Sequence, residues 1–395
     1  MNNEPKSVED KNILKNHAFK FIILLGIVSL LADMTYEGAR SITGPYLAIL
    51  GASATVVGFV SGFGELIGYT LRLVSGYISD RTRRYWTITI TGYFINLLAV
   101  PLLALAGSWE IAAMLLIAER MGKAIRTPAR DVMLSHAGSN VGQGWGFGFH
   151  EAMDQIGAIL GPLIIAVVLF FKGSYQTSFA LLLIPALLAL SVLIISRFLY
   201  PNPHDLEIKT PKIETKGFKH VYWIYIAAIA LIAAGYTDFP LIAFHFKKAL
   251  IASDSLIPIF YAIAMGVDAI AALIFGRLFD KIGLSTMIIV AATSAFFAPF
   301  VFLGGFNLVF IGVALWGVGL GAQESIMRAA IAGMSPTERR GTAYGVFNTI
   351  YGVFWFSGSL TMGILYDISI FYLVIFSMIT QLASIPLFIL IRKSK

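Results

Sequence analysis

The sequence contains no cysteine and few charged residues. Of its 395 residues, 13% are Asp, Glu, Lys or Arg and 57% are hydrophobic. The absence of cysteine excludes disulfide bonds, thiolate metal sites and cysteine nucleophiles. A soluble protein carries about 25% charged residues. The low charge, together with a mean hydropathy of +0.80, therefore indicates an integral membrane protein that is surrounded by lipid.

The sequence also lacks the motifs of nucleotide-driven and metal-dependent chemistry. It has no glycine-rich phosphate loop ending in lysine and no histidine pair with metal-site spacing. Its longest polar stretch has about 20 residues, which is too short for a nucleotide-binding domain. The net charge of +7 comes from basic residues at the ends of apolar segments, and this pattern does not indicate nucleic-acid binding. We therefore expect no enzymatic activity, cofactor, metal site or nucleic-acid partner.

Twelve apolar segments are candidates to cross a membrane, which takes about 20 residues in a helix. They span residues 19–41, 55–78, 86–106, 110–125, 145–170, 177–198, 221–244, 256–279, 285–303, 308–334, 342–366 and 370–391. Segment 4 is the weakest because Glu119, Arg120 and Lys123 interrupt it. Residues 1–18 are predicted to form a cytoplasmic tail, since segment 1 follows them without a cleavage site for a signal peptide.

Lysine and arginine are concentrated in alternate connections between the segments. The connections that carry few of them contain only Arg40, Lys172, Lys247 and Lys248. This asymmetry predicts that both termini are cytoplasmic. A polar stretch at 200–219 divides the chain, so we predict an all-α membrane protein with six-helix bundles at 19–199 and 220–395 joined by a cytoplasmic linker.

A short motif occurs twice, 200 residues apart, after segments 2 and 8. Each copy has a glycine, three further residues, an aspartate and a basic residue. The copies consist of Gly76, Asp80 and Arg81, and of Gly276, Asp280 and Lys281. Glycine patterns at 144–148 and 341–345 also repeat. Two copies with an even number of helices lie parallel, related by an axis along the membrane normal.

The first copy resembles the loop signature of the major facilitator superfamily, and the resemblance covers the whole chain. Gly76, Asp80, Arg81 and Arg84 fill the signature, while Arg83 replaces its second glycine. The resemblance implies that Asp80 accepts hydrogen bonds from the N-terminus of segment 11 and, with its basic neighbours, latches the cytoplasmic ends of the halves together. An alternative is that the motif only anchors the topology and allows close helix packing.

Segment 5 resembles a second signature, which is associated with antiporter members of that family. Its residues are Gly148, Gly157, Gly161 and Pro162. The closing glycine pair is replaced by Ile165 and Ala166, and the family signature of segment 4 is only loosely present from Arg120 to Lys123. The smooth face and the proline kink predict a tightly packed, proton-tight seam between the halves. Packing without any consequence for antiport is the alternative.

Ionisable residues at membrane depth are predicted functional sites, since each costs about 2.5–3.5 kcal/mol on insertion scales. The candidates for substrate binding or proton coupling are Asp33, Glu37, Glu65, Glu119, Arg120, Asp238, Asp268 and Glu324. The resemblance implies that segments 1, 4, 7 and 10 line a central cavity. Asp33 and Glu37 share one helix face, although Glu37 could instead pair with Arg40 near the outer rim. Because Glu119 and Arg120 are adjacent, we expect them to face different directions.

Two further groups of residues have alternative interpretations. His150, Glu151 and Asp154 could join a proton pathway or form a cytoplasmic gate with Arg126 or Arg130. The aromatic residues of segment 11 could line a substrate site or pack against lipid and protein.

The resemblance implies a secondary active transporter that works by alternating access. We expect proton-coupled antiport that exports a drug-like compound or a metabolite. One alternative is a proton symporter or uniporter for an organic anion or metabolite, with Arg120 binding the anionic group. Another is a divalent-metal exporter with Asp33, Glu37 and His245 as ligands. The expected partners are the substrate, protons and the lipid bilayer, and we expect a monomer in the plasma (inner) membrane.

Overall fold

The computed structural model describes residues 8–201, 220–334 and 340–393. Every regular element in those ranges is helical, which confirms the all-α fold class. The first half contains α1 (Val8–Ile49), α2 (Ala54–Thr82), α3 (Tyr85–Leu102), α4 (Trp109–Val141), α5 (Gln143–Phe170), α6 (Tyr175–Leu181) and α7 (Leu183–Leu199). A short 3-10 turn, Leu103–Leu105, follows α3.

The second half has the same organisation with more interruptions. It contains α8 (His220–Gly235), α9 (Phe239–Lys248), α10 (Ile257–Ile282), α11 (Ser285–Ser294), α12 (Phe297–Phe302), α13 (Phe306–Met334), α14 (Arg340–Ile368) and α15 (Ile370–Lys393). Segments 6, 7 and 9 each correspond to two consecutive helices. Most of the predicted linker lies outside the described residues.

Ten helices or helix pairs in the described ranges are long and apolar enough to cross a membrane. Helices α4 and α14 are not among these ten, although they have 33 and 29 residues. Charged residues lower the hydropathy of α4, and α14 is rich in glycine, serine and threonine. The count of twelve spans and the side on which the termini lie therefore stay predictions.

Helix α1 is longer than predicted, and this corrects the placement of one arginine. Segment 1 was expected to end at residue 41, with Arg40 in an outer connection. The helix instead continues to Ile49, because Ile42, Tyr46 and Leu47 are buried apolar residues. Arg40 consequently lies inside the bundle, where it contacts carboxylates from two other helices.

Segment 7 is broken at its centre, and the break positions an aspartate. Helix α8 ends at Gly235 and α9 begins at Phe239, with Asp238 as its N-cap residue. Pro240 lies in the first turn of α9, where proline is compatible with a helix but cannot continue one from before. Asp238 is 2% exposed.

We call the end of the bundle at which α1 begins and α2 ends the tail face, and the opposite end the outer face. The predicted orientation makes the tail face cytoplasmic. The two halves contact each other mainly where α2 packs on α14, α5 on α10, and α1 on α9.

The seam between α2 and α14 is tightest at the outer face. There a Cβ atom on Gly58 would clash with the carbonyl oxygen of Ser359, and one on Gly363 would lie 2.6 Å from the carbonyl oxygen of Ala54. Toward the tail face, a Cβ on Gly352 would meet only the side chain of Tyr69, at 3.1 Å. Backbone therefore meets backbone at the outer end, whereas side chains fill the seam toward the tail face.

Candidate functional site

Charged side chains from both halves meet near the middle of the bundle. Arg40 Nη2 donates to Asp238 Oδ1 at 2.9 Å and to Glu65 Oε1 at 3.2 Å. Arg40 lies nine residues before the end of α1 at Ile49, which corresponds to about 14 Å of helix. A bilayer core is about 30 Å thick, so this depth is close to its centre. Asp238 belongs to the second half, whereas Arg40 and Glu65 belong to the first.

The carboxylate of Asp238 is also held within its own half. Its Oδ2 atom accepts a hydrogen bond from Trp355 Nε1 at 2.7 Å and one from Ser359 Oγ at 3.3 Å. Both donors lie on α14. Asp238 therefore connects α14 of the second half to Arg40 of the first half. Trp355, one of the aromatic residues of segment 11, contacts a charged group here, and the sequence did not indicate this contact.

Helix α4 extends the network through Glu119 and Arg120. Arg120 Nη1 lies 3.4 Å from Glu65 Oε1, and Arg120 Nε lies 3.3 Å from Glu119 Oε2. Asn96 on α3 donates to Glu119 Oε1 at 2.8 Å. As expected for adjacent residues, Glu119 and Arg120 have partners on different helices, Asn96 on α3 and Glu65 on α2. Their flexible stems nevertheless allow the two charged ends to contact each other.

Glu37 connects the network to α10. Tyr261 donates its hydroxyl hydrogen to Glu37 Oε2, and Lys123 Nζ lies 3.8 Å from Glu37 Oε1. The ion pair between Glu37 and Arg40, which was an alternative from the sequence, is present at 3.9 Å. It does not lie at the outer rim, because Glu37 is 7% exposed and is surrounded by α4 and α10.

Asp33 lies one turn closer to the tail face. It accepts a hydrogen bond from Tyr36 on the same helix, and it is 6% exposed. Lys123 Nζ lies 3.9 Å from the centre of the Tyr36 ring. Asp33 is thus a buried carboxyl next to the central network, with both a hydroxyl and a cation nearby.

Arg126 is a buried charge that the sequence indicated only as a possible gate partner. It is 1% exposed, and its guanidinium carbon lies 4.2 Å from the Tyr93 ring and 5.8 Å from the Tyr36 ring. Within the described part of the chain, its Nε and Nη1 atoms have no hydrogen-bond partner. The spacing of Arg120, Lys123 and Arg126 could have singled it out, since residues three apart share one helix face.

The segment 5 cluster makes local pairs. His150 Nδ1 lies 3.3 Å from Asp154 Oδ1, and Arg130 pairs with its neighbour Asp131 at 2.8 Å. Arg126 stacks on Tyr93 instead of pairing with this cluster. The choice between a gate and a proton pathway stays open.

Asp268 and Glu324 lie outside the central network. Asp268 is 1% exposed and accepts a hydrogen bond at 2.9 Å from Gln155 Nε2, across the seam between α5 and α10. Glu324 on α13 is exposed and interacts electrostatically with Asp268. The structure therefore brings together Glu37, Glu65, Glu119, Arg120 and Asp238, with Asp33 beside them, and places Asp268 and Glu324 in a separate group.

The segment 5 glycines do not form the predicted seam between the halves. A Cβ atom on Gly157 would clash with the carbonyl oxygen of Leu30, and one on Gly161 would clash with that of Met34. Both carbonyls belong to α1 of the same half, so these glycines set the distance between α1 and α5. A Cβ on Gly148 would meet nothing within 4 Å. Pro162 follows Gly161 inside α5 without ending the helix.

The loop signature lies at the tail face, with exposed charges in both copies. Asp80, Arg81, Arg84, Asp280 and Lys281 are all exposed, and Gly76 and Gly276 are partly buried in α2 and α10. The predicted partner of the first aspartate, the start of segment 11, adjoins residues 335–339, which lie outside the described ranges. The latch stays a prediction.

The structure explains why the signature has a second glycine. At that position Arg83 ends α2 with a left-handed φ of 53° and donates its backbone N–H to Ser79 O at 2.8 Å. Gly283 ends α10 in the second copy with a φ of 59°. Glycine adopts positive φ without the steric cost that other residues carry, so Arg83 adopts a conformation that the family signature assigns to glycine.

Comparisons with known proteins agree with this architecture. Uncharacterized proteins of Mycobacterium tuberculosis and Mycobacterium bovis are 40% identical to the chain over 382 residues, covering 95% of this chain and 93% of theirs. An uncharacterized MFS-type transporter of Methanocaldococcus jannaschii is 29% identical, covering 92% and 94%.

Among solved structures, a mutant form of the nucleoside transporter NupG has a TM-score of 0.75 at 13% identity, covering 93% of this chain and 99% of NupG. A POT family transporter in complex with 5-aminolevulinic acid has a TM-score of 0.74 at 14% identity, covering 94% and 95%. At such low sequence identity, these similarities show that the fold is shared and nothing more. The family model of the Major Facilitator Superfamily matches residues 25–359. The chain therefore belongs to the Major Facilitator Superfamily and is a multi-pass membrane transporter, not an enzyme.

Proposed function

We propose that this transporter is a proton-coupled antiporter that exports a small molecule by alternating access. The observation that carries the proposal is the ion pair between Arg40 and Asp238, which connects the halves at 2.9 Å near mid-depth. Between this pair and the outer face, the backbones of α2 and α14 approach each other closely at Gly58 and Gly363. Opening toward the outer face requires this pair to separate, so a change in its charge shifts the balance between the two conformations.

Protonation provides such a change in charge. A protonated Asp238 no longer attracts Arg40 as an anion, and Arg40 then keeps only its carboxylate partners in the first half. Asp33 is proposed to carry the proton to this network, because it is buried next to Lys123 and Tyr36 and takes no part in an ion pair within 4.0 Å among the described residues. Neutral and charged forms of such a carboxyl differ in their cost of burial, which couples proton binding to conformation.

The remaining features of the proposal follow from the sequence. Both termini and the linker are proposed to be cytoplasmic, with the domain boundaries given above, and the protein is proposed to act as a monomer in the plasma (inner) membrane. The segment 5 signature supports antiport through the resemblance. The exposed aspartates and bases at the tail face are proposed to latch the halves when the tail side closes.

The test is transport by the purified protein in proteoliposomes with a pH-sensitive dye inside. An imposed pH gradient should drive substrate uptake or release, and substrate addition should move protons in the opposite direction. Asp33→Asn should abolish the proton movement while facilitated substrate exchange continues. Proton movement that survives Asp33→Asn would remove the assignment of Asp33, and the absence of proton movement with every substrate tested would favour uniport.

Arg126 favours a second candidate, the transport of an organic anion by symport or uniport. A buried guanidinium whose Nε and Nη1 atoms have no hydrogen-bond partner among the described residues is costly, and stacking on Tyr93 offsets roughly 2 kcal/mol of that cost. A carboxylate or phosphate group of the substrate would compensate this charge. Competition between substrate and organic anions, lost in Arg126→Met and kept in Arg84→Gln, would support this candidate over cation or neutral-compound export.

Divalent-metal export has little support. Among residues 8–201, 220–334 and 340–393, no group of three or more His, Asp and Glu side chains is arranged to hold a metal ion. The Nδ1 atom of His245 forms a hydrogen bond with the hydroxyl of Tyr366 at 2.9 Å. Asp33 and Glu37, the other two candidate metal ligands, accept hydrogen bonds from the hydroxyl groups of Tyr36 and Tyr261.

A further inference from the structure

The outer face contains a contact in which one half caps a helix of the other half. Asp367 lies near the C-terminal end of α14, at the outer face. Its Oδ1 accepts from the backbone N–H of Ala54 at 3.2 Å, and its Oδ2 accepts from the backbone N–H of Thr55 at 2.8 Å and from Thr55 Oγ1 at 2.6 Å. Ala54 and Thr55 are the first residues of α2.

The cap supplies hydrogen-bond acceptors that α2 lacks at its start. The first N–H groups of a helix have no partner within the helix. Here the first regular helical bond runs from Val57 N to the carbonyl oxygen of Ser53 at 3.1 Å, so the N–H groups of Ala54, Thr55 and Val56 need other acceptors. Ser53 Oγ accepts from Val56 N at 3.3 Å, and Asp367 accepts from the other two. The first half thus caps its own helix only partly, and the carboxylate from the second half adds two backbone bonds to the cap.

A negative charge at this position is favourable for two reasons. The N-terminal end of a helix carries about half a positive charge, and hydrogen bonds to an ionised acceptor are stronger than neutral ones. The contact lies where backbone meets backbone across the seam, beside Gly58 and Gly363. If the halves separated at the outer face, Asp367 would lose all three bonds at once.

We propose that Asp367 is a positioning residue for alternating access and that its cap on α2 stabilises the conformation closed at the outer face. The inference rests on the alternating access of the proposed function, but not on proton coupling or on the direction of transport. Helices α2 and α14 run antiparallel, so Asp80 near the C-terminal end of α2 lies at the opposite face. The outer cap is the counterpart, with the halves exchanged, of the predicted latch at the tail face.

The test uses distances between spin labels in the protein reconstituted in nanodiscs, without substrate or pH gradient. Because the chain contains no cysteine, labels attach only at introduced sites. One pair, Gln176→Cys with Asn307→Cys, spans the halves at the outer face. A second pair, Thr82→Cys with Ile282→Cys, spans them at the tail face. Asp367→Asn keeps the size of the side chain and removes its charge.

We expect Asp367→Asn to raise the ratio of outer-open to outer-closed molecules about fivefold, the effect of one charged helix cap. The outer distance should lengthen and the tail distance should shorten in the same fraction of molecules. Thr55→Val, which removes one of the three bonds and leaves the backbone donors, should give a smaller shift in the same direction.

Ser53→Ala is the matched control, because it removes a cap bond at the same helix end that does not cross the halves. It should leave the ratio within twofold of the unmodified protein. Equal effects of Asp367→Asn and Ser53→Ala, or unchanged distances in Asp367→Asn, would overturn the inference. A failure of proton transport in proteoliposomes would leave these distances unaffected and would count only against the proposed function.

Discussion

The ion pair between Arg40 and Asp238 should control how readily the halves separate at the outer face. Asp238→Asn removes the charge and keeps the shape, and the N-cap geometry of α9 is unaffected because the Asp238 side chain makes no cap bond there. A hydrogen bond between charged groups contributes about 1.5–3 kcal/mol. Arg40 retains Glu65 at 3.2 Å, so we expect the lower part of that range, about 2 kcal/mol, which is about 30-fold in the equilibrium.

The assay is the rate at which a single cysteine reacts with a membrane-impermeant maleimide. Val60→Cys is suitable because Val60 is 4% exposed and lines the small cavity next to Arg40. Only molecules that open at the outer face should react. We therefore expect Asp238→Asn to raise the labelling rate about 30-fold, the factor worked out for the equilibrium.

A control substitution and a double-mutant cycle distinguish the loss of the ion pair from a general weakening of the packing between the halves. Trp355→Phe removes another hydrogen bond to Asp238 that stays within the second half. It should raise the rate far less than Asp238→Asn does, since this bond does not have to break when the halves separate. A double-mutant cycle of Arg40→Met and Asp238→Asn should give a coupling energy near 2 kcal/mol. Additivity within about 0.5 kcal/mol, or an unchanged labelling rate in Asp238→Asn, would refute the reasoning.

Other substitutions test the packing and the tail face. Gly157→Ala brings a Cβ against a carbonyl oxygen of α1. It should lower the free energy of unfolding by about 1–3 kcal/mol, measured by thermal unfolding. Gly148→Ala is the control and should leave that free energy unchanged, because its Cβ meets nothing within 4 Å. Gly44→Ala, which would clash with the carbonyl oxygen of Pro240, should increase outer-face labelling. Asp80→Asn should slow transport in proteoliposomes without weakening substrate binding; lost affinity would contradict the latch.

The sequence predicted the fold class because hydropathy reports directly on the length of apolar helices. It also identified most of the buried charges, since an ionisable residue inside an apolar segment is visible without coordinates. The exceptions are Arg126, which was indicated only as a gate partner, and Glu324, which is exposed. Arg40 was misplaced because the positive-inside count assigns any arginine near a segment end to a connection. The apolar residues 42–49 continue the helix and could have shown that Arg40 is internal.

The partners of these residues could not be predicted, because they come from different helices. Nothing near Asp238 in the sequence indicates that Arg40, almost 200 residues earlier, is its partner. The glycines of segment 5 show the same limit. Their spacing indicates that another helix approaches closely, but the identity of that helix depends on tertiary packing. It is α1 of the same half.

The central network is better explained by conformational exchange than by stability. Replacing a buried ion pair with apolar residues of similar volume is often neutral or stabilising, so Arg40 and Asp238 are a poor choice for a static bundle. A transporter needs contacts that stabilise one conformation and can break, at a moderate cost in free energy, when the other conformation forms. Two such contacts between the halves are the ion pair near mid-depth and the cap of Asp367 on α2. Each contributes roughly 1–2 kcal/mol. Because both contacts depend on a carboxylate, a change in the charge of either one shifts the balance between the closed and the open outer face.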